Sequence, residues 1–456
     1  MAGVLASLTL RGRCLAAAGV ALLLVGVVLG EKALVEIAVF VLALPLISAA
    51  MIAREHFAVT SRRTVSPARV PRGEDAEVLL ELSNVDRRPG GLWLLTEELP
   101  EDLGAEPRFV VDRLAPGATT GLRYRVHGGR RGRHALGPLR LRLVDPFGLV
   151  LRTSTGTDTV PLVVVPRVRP LGPGGPAGGS GGTGEGTRRT IAVHGEDDVS
   201  IRAYRHGDDL RKVHWRATAR AGELMVRLEE RPWRAQATLL LDTRARAHLV
   251  APRRPALPPP PAPGDDAPPP DTLEWVVEAA ASIGTALARR GSVLRVVTDA
   301  GELAPATGRV GLGPQELLDL LAGVTPSHEP GLIGAVEQAC RVAGDGPLIC
   351  LLGAVGADDV VELVRARSGP VTDLAVLVDT GSWAESGATR GRRAVGATSR
   401  AELAAQRDEA ADLLRAAGWQ VAVAPAGVSV ADVWRELSSP TASPVARGAE
   451  HLGAPA

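Results

Sequence analysis

The sequence is poor in cysteine, lysine and aromatic residues, and it has no large excess of charge of either sign. Cys14, Cys340 and Cys350 have no neighbours at metal-ligand spacing and form no disulfide framework, so we interpret them as buried structural thiols. Lys32 and Lys212 are the only lysines, which we attribute to codon composition. The net charge of +1 argues against a dedicated nucleic-acid-binding protein, because such proteins usually carry a basic surplus.

Two long apolar runs lie near the start of this 456-residue chain, which is long enough for two or three domains. Residues 14–30 contain no charge, and residues 33–53 contain only Glu36, close to one end. Each run is about long enough to cross a bilayer, and Pro45 is expected to kink the second helix. The turn between the runs is very short. We therefore predict a transmembrane helical hairpin within residues 1–56.

The charges that flank the two runs predict an orientation. Arg11 and Arg13 precede the first run, Arg54 follows the second, and the turn offers Lys32 alone. Because positive charge accumulates on the cytoplasmic side, both ends of the hairpin should be cytoplasmic. A cleaved signal peptide is the alternative, but the second run would still anchor the chain. We expect a multi-pass protein of the cell membrane with cytoplasmic soluble domains.

Residues 57–170 show a period of two that is typical of strands with one wet face. In residues 122–126 and 139–143, apolar side chains alternate with arginine, and turn-forming Pro and Gly residues separate the segments. Several such strands in about 110 residues predict an all-β sandwich. A module of this kind either binds a protein or acts as a spacer, because the fold alone does not fix a function.

A Gly-rich linker, residues 171–190, is followed by the most charged part of the chain, residues 191–236. The linker does not resemble a phosphate-binding loop, because no Gly-Lys-Ser/Thr follows it. The charged segment interleaves arginines, aspartates and aromatic residues, which can form an ion-pair network between domains or a partner-binding surface. Asp209 is placed to cap a helix over residues 210–219. The residues that we single out are Arg202, Tyr204, Gly207, Asp208, Asp209, Arg211, His214, Trp215 and Arg220.

As an ordered set, these residues resemble the signature of the domain of unknown function 58 family. The segment Asp145-Pro-Phe-Gly-Leu149 resembles one that commonly precedes that signature. The resemblance implies a bacterial, membrane-anchored protein that is often encoded beside a MoxR-type AAA+ ATPase, or beside transglutaminase-like proteins. It also implies an envelope-related or chaperone-like role. It implies no defined activity.

Residues 237–440 alternate between strand and helix patterns, with a Pro-rich loop at 252–270 and a disordered tail predicted at 441–456. Strands that lack a polar face predict a parallel sheet covered by helices on both sides, a doubly wound α/β domain. We predict strands at 237–241, 293–298, 347–352, 373–378 and 420–424, and helices at 273–290, 314–322, 332–342, 358–367, 400–417 and 430–437.

The layout of this domain resembles a von Willebrand factor A-like domain, in which the first strand ends in an Asp-x-Ser-x-Ser metal motif. Here the corresponding residues are Asp242-Thr-Arg-Ala-Arg246, with arginines in place of both serines. A guanidinium repels a divalent cation, which needs several oxygen ligands. We therefore expect a degenerate site at Asp242 that holds no metal.

We predict a scaffold or adaptor without enzymatic activity or cofactor. Its expected partners are membrane lipid, bound by the hairpin, and a MoxR-type AAA+ ATPase, which the family resemblance implies. We expect no nucleic-acid partner, and the sequence does not define an oligomeric state. One alternative is a metal-dependent, ligand-binding von Willebrand factor A-like module. The other is a hydrolase, for which Ser200, His214 and either Asp208 or Asp209 supply a nucleophile, a base and an orienting group, although no nucleophile elbow is present.

Overall fold

A computed structural model of the protein describes residues 8–54, 59–172, 200–203, 213, 215–228, 236–250, 271–305, 308, 310–344, 346–367, 371–386 and 397–438. The Gly-rich linker after residue 172, the Pro-rich loop and the predicted C-terminal tail lie outside these described residues.

The two apolar runs form a helical hairpin of α1, Leu10–Leu29, and α2, Lys32–Arg54. Both helices are long and apolar enough to cross a membrane. Helix α1 begins four residues earlier than predicted. The hydroxyl of Thr9 accepts a hydrogen bond from the backbone N–H of Gly12 (3.2 Å), which caps the helix ahead of the arginines in its first turn. Apolar periodicity alone does not detect such a start.

Three glycines spaced seven residues apart lie on the buried side of α1: Gly12, Gly19 and Gly26. A Cβ atom on Gly19 would lie only 2.7 Å from Cγ of Leu42, and one on Gly26 would lie 3.0 Å from a methyl group of Val35. The glycines therefore allow α1 and α2 to approach closely, in the manner of small residues between membrane helices.

Within described residues 59–172, ten strands form three sheets. Strands β1, β3 and β6 form an antiparallel sheet in that order, and β5, β4, β8 and β9 form a second antiparallel sheet. In the third sheet β10 pairs parallel with β2 and antiparallel with β7. The strands are β1 Val59–Ser66, β2 Arg69–Pro71, β3 Asp75–Asn84, β4 Leu92–Glu97, β5 Arg108–Asp112, β6 Thr119–His127, β7 Gly132–Leu136, β8 Leu139–Val144, β9 Leu151–Thr155 and β10 Val160–Val165.

One hydrophobic cluster joins these sheets, which together we call the β-domain. Alternate residues of β3, among them Val78, Leu80 and Leu82, are fully buried in it, as the period of two predicts. Leu8 and Ile52 belong to the same cluster, although they lie at the two ends of the hairpin. The base of the hairpin is therefore packed against the β-domain.

The charged segment contributes a small element of its own. Strands β11, Ser200–Ala203, and β12, Met225–Leu228, pair antiparallel, and α3, Trp215–Ala221, lies between them in the chain. Within the described residues, the helix predicted over 210–219 is represented by α3.

The last part of the chain alternates strands and helices, and most bounds agree with the predicted ones within three residues. The elements that were not predicted are a short antiparallel strand, β15, and a six-residue helix, α8. In the described residues, the strands and α-helices are β13 Gln236–Leu241, α4 Thr272–Arg289, β14 Val293–Thr298, β15 Gly301–Glu302, α5 Pro314–Ala322, α6 Ile333–Ala343, β16 Leu348–Leu352, α7 Ala357–Ala366, β17 Leu374–Val378, α8 Thr380–Glu385, α9 Ala397–Ala416, β18 Gln420–Ala424 and α10 Val430–Ser438.

These strands form one six-stranded sheet in the order β15-β14-β13-β16-β17-β18, parallel except for β15. Successive residues of β13 face opposite layers. Leu239 and Leu241 pack in a cluster with α4, α5 and α10, whereas Leu240 packs in a cluster with α6, α7 and α9. The predicted arrangement of a sheet between two helical layers is present, and we call this part the α/β domain.

Candidate functional site

The carboxyl end of β13 lies where the order of the sheet reverses, because the next strand in the chain, β14, pairs on one side and β16 on the other. Ligands of open α/β sheets usually bind at such a point. Asp242 stands there, fully buried, and its backbone N–H donates to the carbonyl of Leu351 in β16 (3.0 Å). Asp242 therefore occupies the point of the sheet at which ligands of such folds usually bind.

The carboxylate of Asp242 is occupied by Arg244. Nε of Arg244 donates to Oδ1 (2.9 Å) and Nη2 donates to Oδ2 (3.0 Å), a two-pronged ion pair. The third nitrogen, Nη1, donates to Asp359 at the start of α7 (3.1 Å). Only 1% of the Arg244 side chain is exposed, and its hydrogen bonds with both aspartates raise the pKa of the guanidinium although burial opposes them. The guanidinium is thus a fixed internal cation.

A second polar group lies beside this ion pair. Asp299, at the end of β14, accepts hydrogen bonds from the backbone N–H and the hydroxyl of Thr243 (both 2.6 Å) and from the hydroxyl of Ser327. The backbone N–H of Ala245 in turn donates to the carbonyl of Ser327 (2.8 Å). Asp299 therefore fixes the loop after β13 and keeps Arg244 in place.

His248 holds the end of the same loop through contacts of both its ring nitrogens. Its Nε2 lies 2.8 Å from the carbonyl of Asp242, so this nitrogen donates. Its Nδ1 lies 3.2 Å from the hydroxyl of Thr272, which accepts from the backbone N–H of Leu249 and can therefore donate to the ring. These partners assign the neutral tautomer, and burial lowers the pKa of His248.

This arrangement leaves Asp242 without a free coordination position. In the described part of the chain, no three His, Cys, Asp or Glu side chains are grouped to hold a metal ion. The sequence predicted that Arg244 and Arg246 would repel a cation. The structure places only Arg244 on the carboxylate, whereas Arg246 is exposed. The structure therefore shows a direct ion pair between Arg244 and Asp242, whereas the sequence predicted only that both arginines would repel a cation.

The predicted signature residues are only partly described. Arg202 belongs to β11, and Trp215 and Arg220 belong to α3, where both side chains are exposed. Trp215 is 70% exposed, an unusual degree for so large an apolar side chain. Within the described residues, Trp215 and Arg220 share one helix and Arg202 lies on a separate strand. Tyr204, Gly207, Asp208, Asp209, Arg211 and His214 lie outside the described residues.

The Asp145-Pro-Phe-Gly-Leu149 segment is a turn between β8 and β9 that holds the start of α1. The carboxylate of Asp145 accepts from the backbone N–H groups of Phe147 (3.1 Å) and Val150 (2.6 Å), which fixes the turn. Thr9 donates its backbone N–H to the carbonyl of Leu149 (2.9 Å) and its hydroxyl to the carbonyl of Gly148 (2.7 Å). Residues 145–149 therefore hold the N-terminus of α1 against the β-domain.

Sequence reasoning missed the ion pairs that join the β-domain to α4. Arg131, just before β7, is buried and binds Glu274 with two nitrogens (2.9 and 3.3 Å). Its Nη1 also donates to the carbonyls of Leu321 and Val324 at the end of α5 (both 2.6 Å), where a cation is favoured. The signal in the sequence was the pair Glu274 and Glu278, four residues apart in a mostly apolar helix.

Glu278 makes the second set of interdomain contacts. It accepts from Arg169, in the segment after β10 (2.9 Å), and from Arg72, after β2 (3.3 Å). The Glu278 side chain is 4% exposed, so both contacts are shielded from water. With the pair at Arg131, they hold the β-domain against α4.

The geometry defines a multidomain protein with two apolar N-terminal helices, a β-domain packed on their base and an α/β domain ion-paired to it. The family model described as protein of unknown function DUF58 matches residues 200–251, from β11 to just beyond the loop of Asp242. No curated protein matches the chain.

Solved structures give only weak likenesses. The alkylpurine DNA glycosylase AlkC of Pseudomonas fluorescens, bound to DNA containing an abasic site analog, is 18% identical over 27% of this chain and 39% of that chain, with a TM-score of 0.17. The putative ApaA protein of Bordetella pertussis is 13% identical over 23% and 91%, with a TM-score of 0.18. Beta-glucosidase 3B of Thermotoga neapolitana, in complex with glucose, is 13% identical over 23% and 16%, with a TM-score of 0.11. Likenesses of this size carry no argument about fold or function.

Proposed function

We propose that this chain is a membrane-anchored scaffold or adaptor that works without catalysis or a cofactor. The observation that carries the proposal is a continuous series of packed and ion-paired contacts. It begins with the hydrogen bond from Thr9 to the carbonyl of Leu149 and continues through the core of the β-domain. It ends with the ion pair between Arg131 of the β-domain and Glu274 of the α/β domain. A chain built in this way holds a partner-binding surface at a fixed position relative to the hairpin. Buried, hydrogen-bonded ion pairs suit such a role because they specify one arrangement of the domains.

The hairpin is the proposed anchor in the cell membrane, with both soluble domains in the cytoplasm. Arg11 and Arg13 in the first turn of α1 and Arg54 at the end of α2 support this orientation, since Lys32, the first residue of α2, is the only basic residue at the opposite end of the hairpin. A reporter enzyme fused to the C-terminus should be active only in the cytoplasm, and the protein should resist extraction by alkaline carbonate. An active reporter outside the cell, or complete extraction, would reject the anchor.

We further propose that the β-domain is a β-sandwich and that the α/β domain is von Willebrand factor A-like. The shared core of the three β-sheets supports the first assignment, and the mostly parallel six-stranded sheet between helical layers supports the second. In this proposal Arg244 replaces the metal ion of related domains. Millimolar Mg²⁺, Ca²⁺ or Mn²⁺ should then leave the melting temperature unchanged. A rise of several degrees would favour the alternative, a metal-dependent ligand-binding module.

The proposed partner is a MoxR-type AAA+ ATPase in an envelope-related or chaperone-like process. This choice rests on the family resemblance of the signature segment, and the exposed Trp215 in that segment supplies a testable contact. Tryptophan is the residue type most enriched among interface residues that dominate affinity.

Affinity purification of the full chain from native membranes should recover a AAA+ ATPase, and Trp215→Ala should reduce its recovery at least tenfold. Val310→Ala is the matched control, because Val310 is equally exposed but lies in the α/β domain, outside the signature. Purification that recovers no AAA+ ATPase from wild-type membranes would reject the partner. Equal recovery with both variants would reject the contact at Trp215.

A hydrolase built on Ser200, His214 and Asp208 or Asp209 is supported by no specific contact in the described residues. A folded His214→Ala protein that lost an assayable hydrolytic activity would revive it.

A further inference from the structure

The turn that holds α1 also exposes an aromatic side chain next to the hairpin. In the turn of Asp145, the neighbours Leu149 and Val150 are buried, whereas Phe147 is 56% exposed. Since the carboxylate of Asp145 holds the backbone on both sides of Phe147, this exposure is built into the turn.

Phe147 lies close to the first turn of α1. Gly148 accepts a hydrogen bond from Thr9, the residue that caps α1, and the side chain of Arg11 lies beside Gly148. A helix of 20 residues is about 30 Å long, which equals the hydrocarbon thickness of a bilayer. If α1 spans the membrane, its first turn lies at the lipid headgroups, and Phe147 lies at the same level.

Two further loops lie at the same end of the β-domain. Loop 85–91 is tied to loop 113–118 by hydrogen bonds from Asn84 and Gly90 to the carbonyl of Leu114 (both 2.9 Å). Strand β3 ends at Asn84, which pairs with Val59 at the start of β1, only five residues after the end of α2. Five residues reach at most about 18 Å, so these loops lie close to the hairpin.

Basic residues predominate at this end. The first turn of α1 carries Arg11 and Arg13, and the two loops carry Arg87, Arg88 and Arg113; all five side chains are exposed. The acidic residues of these segments and of the turn are Asp86, Asp112 and Asp145, of which Asp145 is buried within its turn. We call these five arginines together with Phe147 the juxtamembrane face.

We propose that the juxtamembrane face binds the headgroups of anionic phospholipids while Phe147 inserts into the interfacial layer. Guanidinium groups bind phosphate through paired hydrogen bonds, and phenylalanine is a usual insertion residue of interfacial segments. The face is thus a second membrane contact beside the hairpin, and it fixes the angle of the β-domain to the membrane. The inference rests on the proposed membrane anchor.

Photocrosslinking can separate this inference from the anchor itself. Benzoylphenylalanine is placed in the full chain at position 147, at position 24 on the exposed side of α1, or at position 310 in the α/β domain. The proteins are reconstituted in nanodiscs of equal phosphatidylcholine and phosphatidylglycerol, irradiated and analysed by mass spectrometry. We expect lipid adducts at 147 and 24 but not at 310. Adducts at 24 without any at 147 would overturn the inference and leave the anchor standing. No adduct at 24 would overturn the anchor and the inference with it.

The arginines are tested by the composition of the adducts at position 147. We expect phosphatidylglycerol to be enriched there over its share in the nanodisc. The combined variant Arg87→Gln, Arg88→Gln and Arg113→Gln should abolish the enrichment, because each basic side chain near an anionic surface contributes a factor of about five. The control Arg123→Gln with Arg125→Gln removes exposed charge from β6, away from the face, and should retain it. Loss of the enrichment in both variants, or in neither, would refute headgroup binding by these loops.

Discussion

We predict that the α/β domain is destabilised when the ion pair between Arg244 and Asp242, at the end of β13, is broken. In Arg244→Met the aliphatic part of the side chain is retained, but three hydrogen bonds to Asp242 and Asp359 are lost. Asp242 is fully buried and would keep only two backbone N–H donors, those of residue 244 (3.1 Å) and Gly353 (3.3 Å). Its charge would then be buried without a cation.

The burial of Asp242 determines how much the Arg244→Met substitution lowers the free energy of unfolding. Removing one partner of a buried ion pair destabilises a protein by about 3–5 kcal/mol, because the remaining charge is left uncompensated. Solvent screening reduces this value little here, since the two side chains are 1% and 0% exposed. For a domain of this size the loss corresponds to a decrease in Tm of roughly 6–20 °C. We therefore expect the α/β domain of the Arg244→Met protein to melt first.

The measurement uses the full chain in detergent, with tryptophan fluorescence as the readout, because most of the buried tryptophans of the described residues (Trp275, Trp383, Trp419 and Trp434) lie in the α/β domain. Arg246→Met is the matched control, because this exposed arginine lies two residues further on; its Tm should change by no more than about 1 °C, as for ordinary surface substitutions. The double variant Asp242→Asn with Arg244→Met removes both charges and should recover most of the loss. If Arg244→Met unfolds within 1 °C of wild type, or if the double variant is no more stable than the single one, the reasoning is wrong.

Three further predictions concern other contacts. Glu274→Gln should destabilise the interface between the β-domain and α4 by about 3 kcal/mol, seen as a lower urea midpoint, because Arg131 loses its buried counter-ion; unchanged stability would contradict the role of this pair. Burial lowers the pKa of His248 below its unfolded value of 6.5, so on acidification the unfolded state is protonated at a higher pH than the folded state. The free energy of unfolding should therefore fall as the pH decreases below about 6.5. The slope is at most about 1.4 kcal/mol per pH unit, and His248→Gln should remove this contribution in urea titrations at pH 5 to 7. Gly12→Ala places a Cβ 2.2 Å from the carbonyl oxygen of Leu149, so hydrogen exchange at Thr9 should increase, whereas Ala17→Val on the exposed side of α1 should have no such effect.

The elements that sequence analysis located well are those with a local pattern. In β3 and β6, apolar and polar residues alternate because alternate side chains are buried. The strands of the α/β domain are apolar throughout because both of their faces are buried. Such patterns can be read directly from the sequence. The two apolar helices were found for the same reason. Helix α1 nevertheless begins at Leu10 rather than at Cys14, because its cap is a hydrogen bond of Thr9 and not an apolar residue.

The contacts that were missed join residues far apart in the chain. Arg131 and Glu274 are 143 positions apart, and Thr9 and Gly148 are 139 positions apart. No periodicity relates such residues, and their geometry depends on how separate domains pack. The arginine two positions after Asp242 was visible in the sequence, but its ion pair with Asp242 was not, because a sequence does not show which way a side chain folds back.

The residues that break the local patterns have a common property. Gly12 weakens an apolar helix, Glu274 interrupts a buried helical face, and Arg244 is a buried cation just after β13. Each is costly in isolation, since glycine disfavours helices and buried charges need partners. Yet each lies where two parts of the molecule meet: Gly12 against the turn at Leu149, Glu274 against Arg131, and Arg244 between β13 and α7. Departures from local preference are expected where function demands them. Their position at joints agrees with the proposed function, in which the molecule holds its parts in a fixed arrangement.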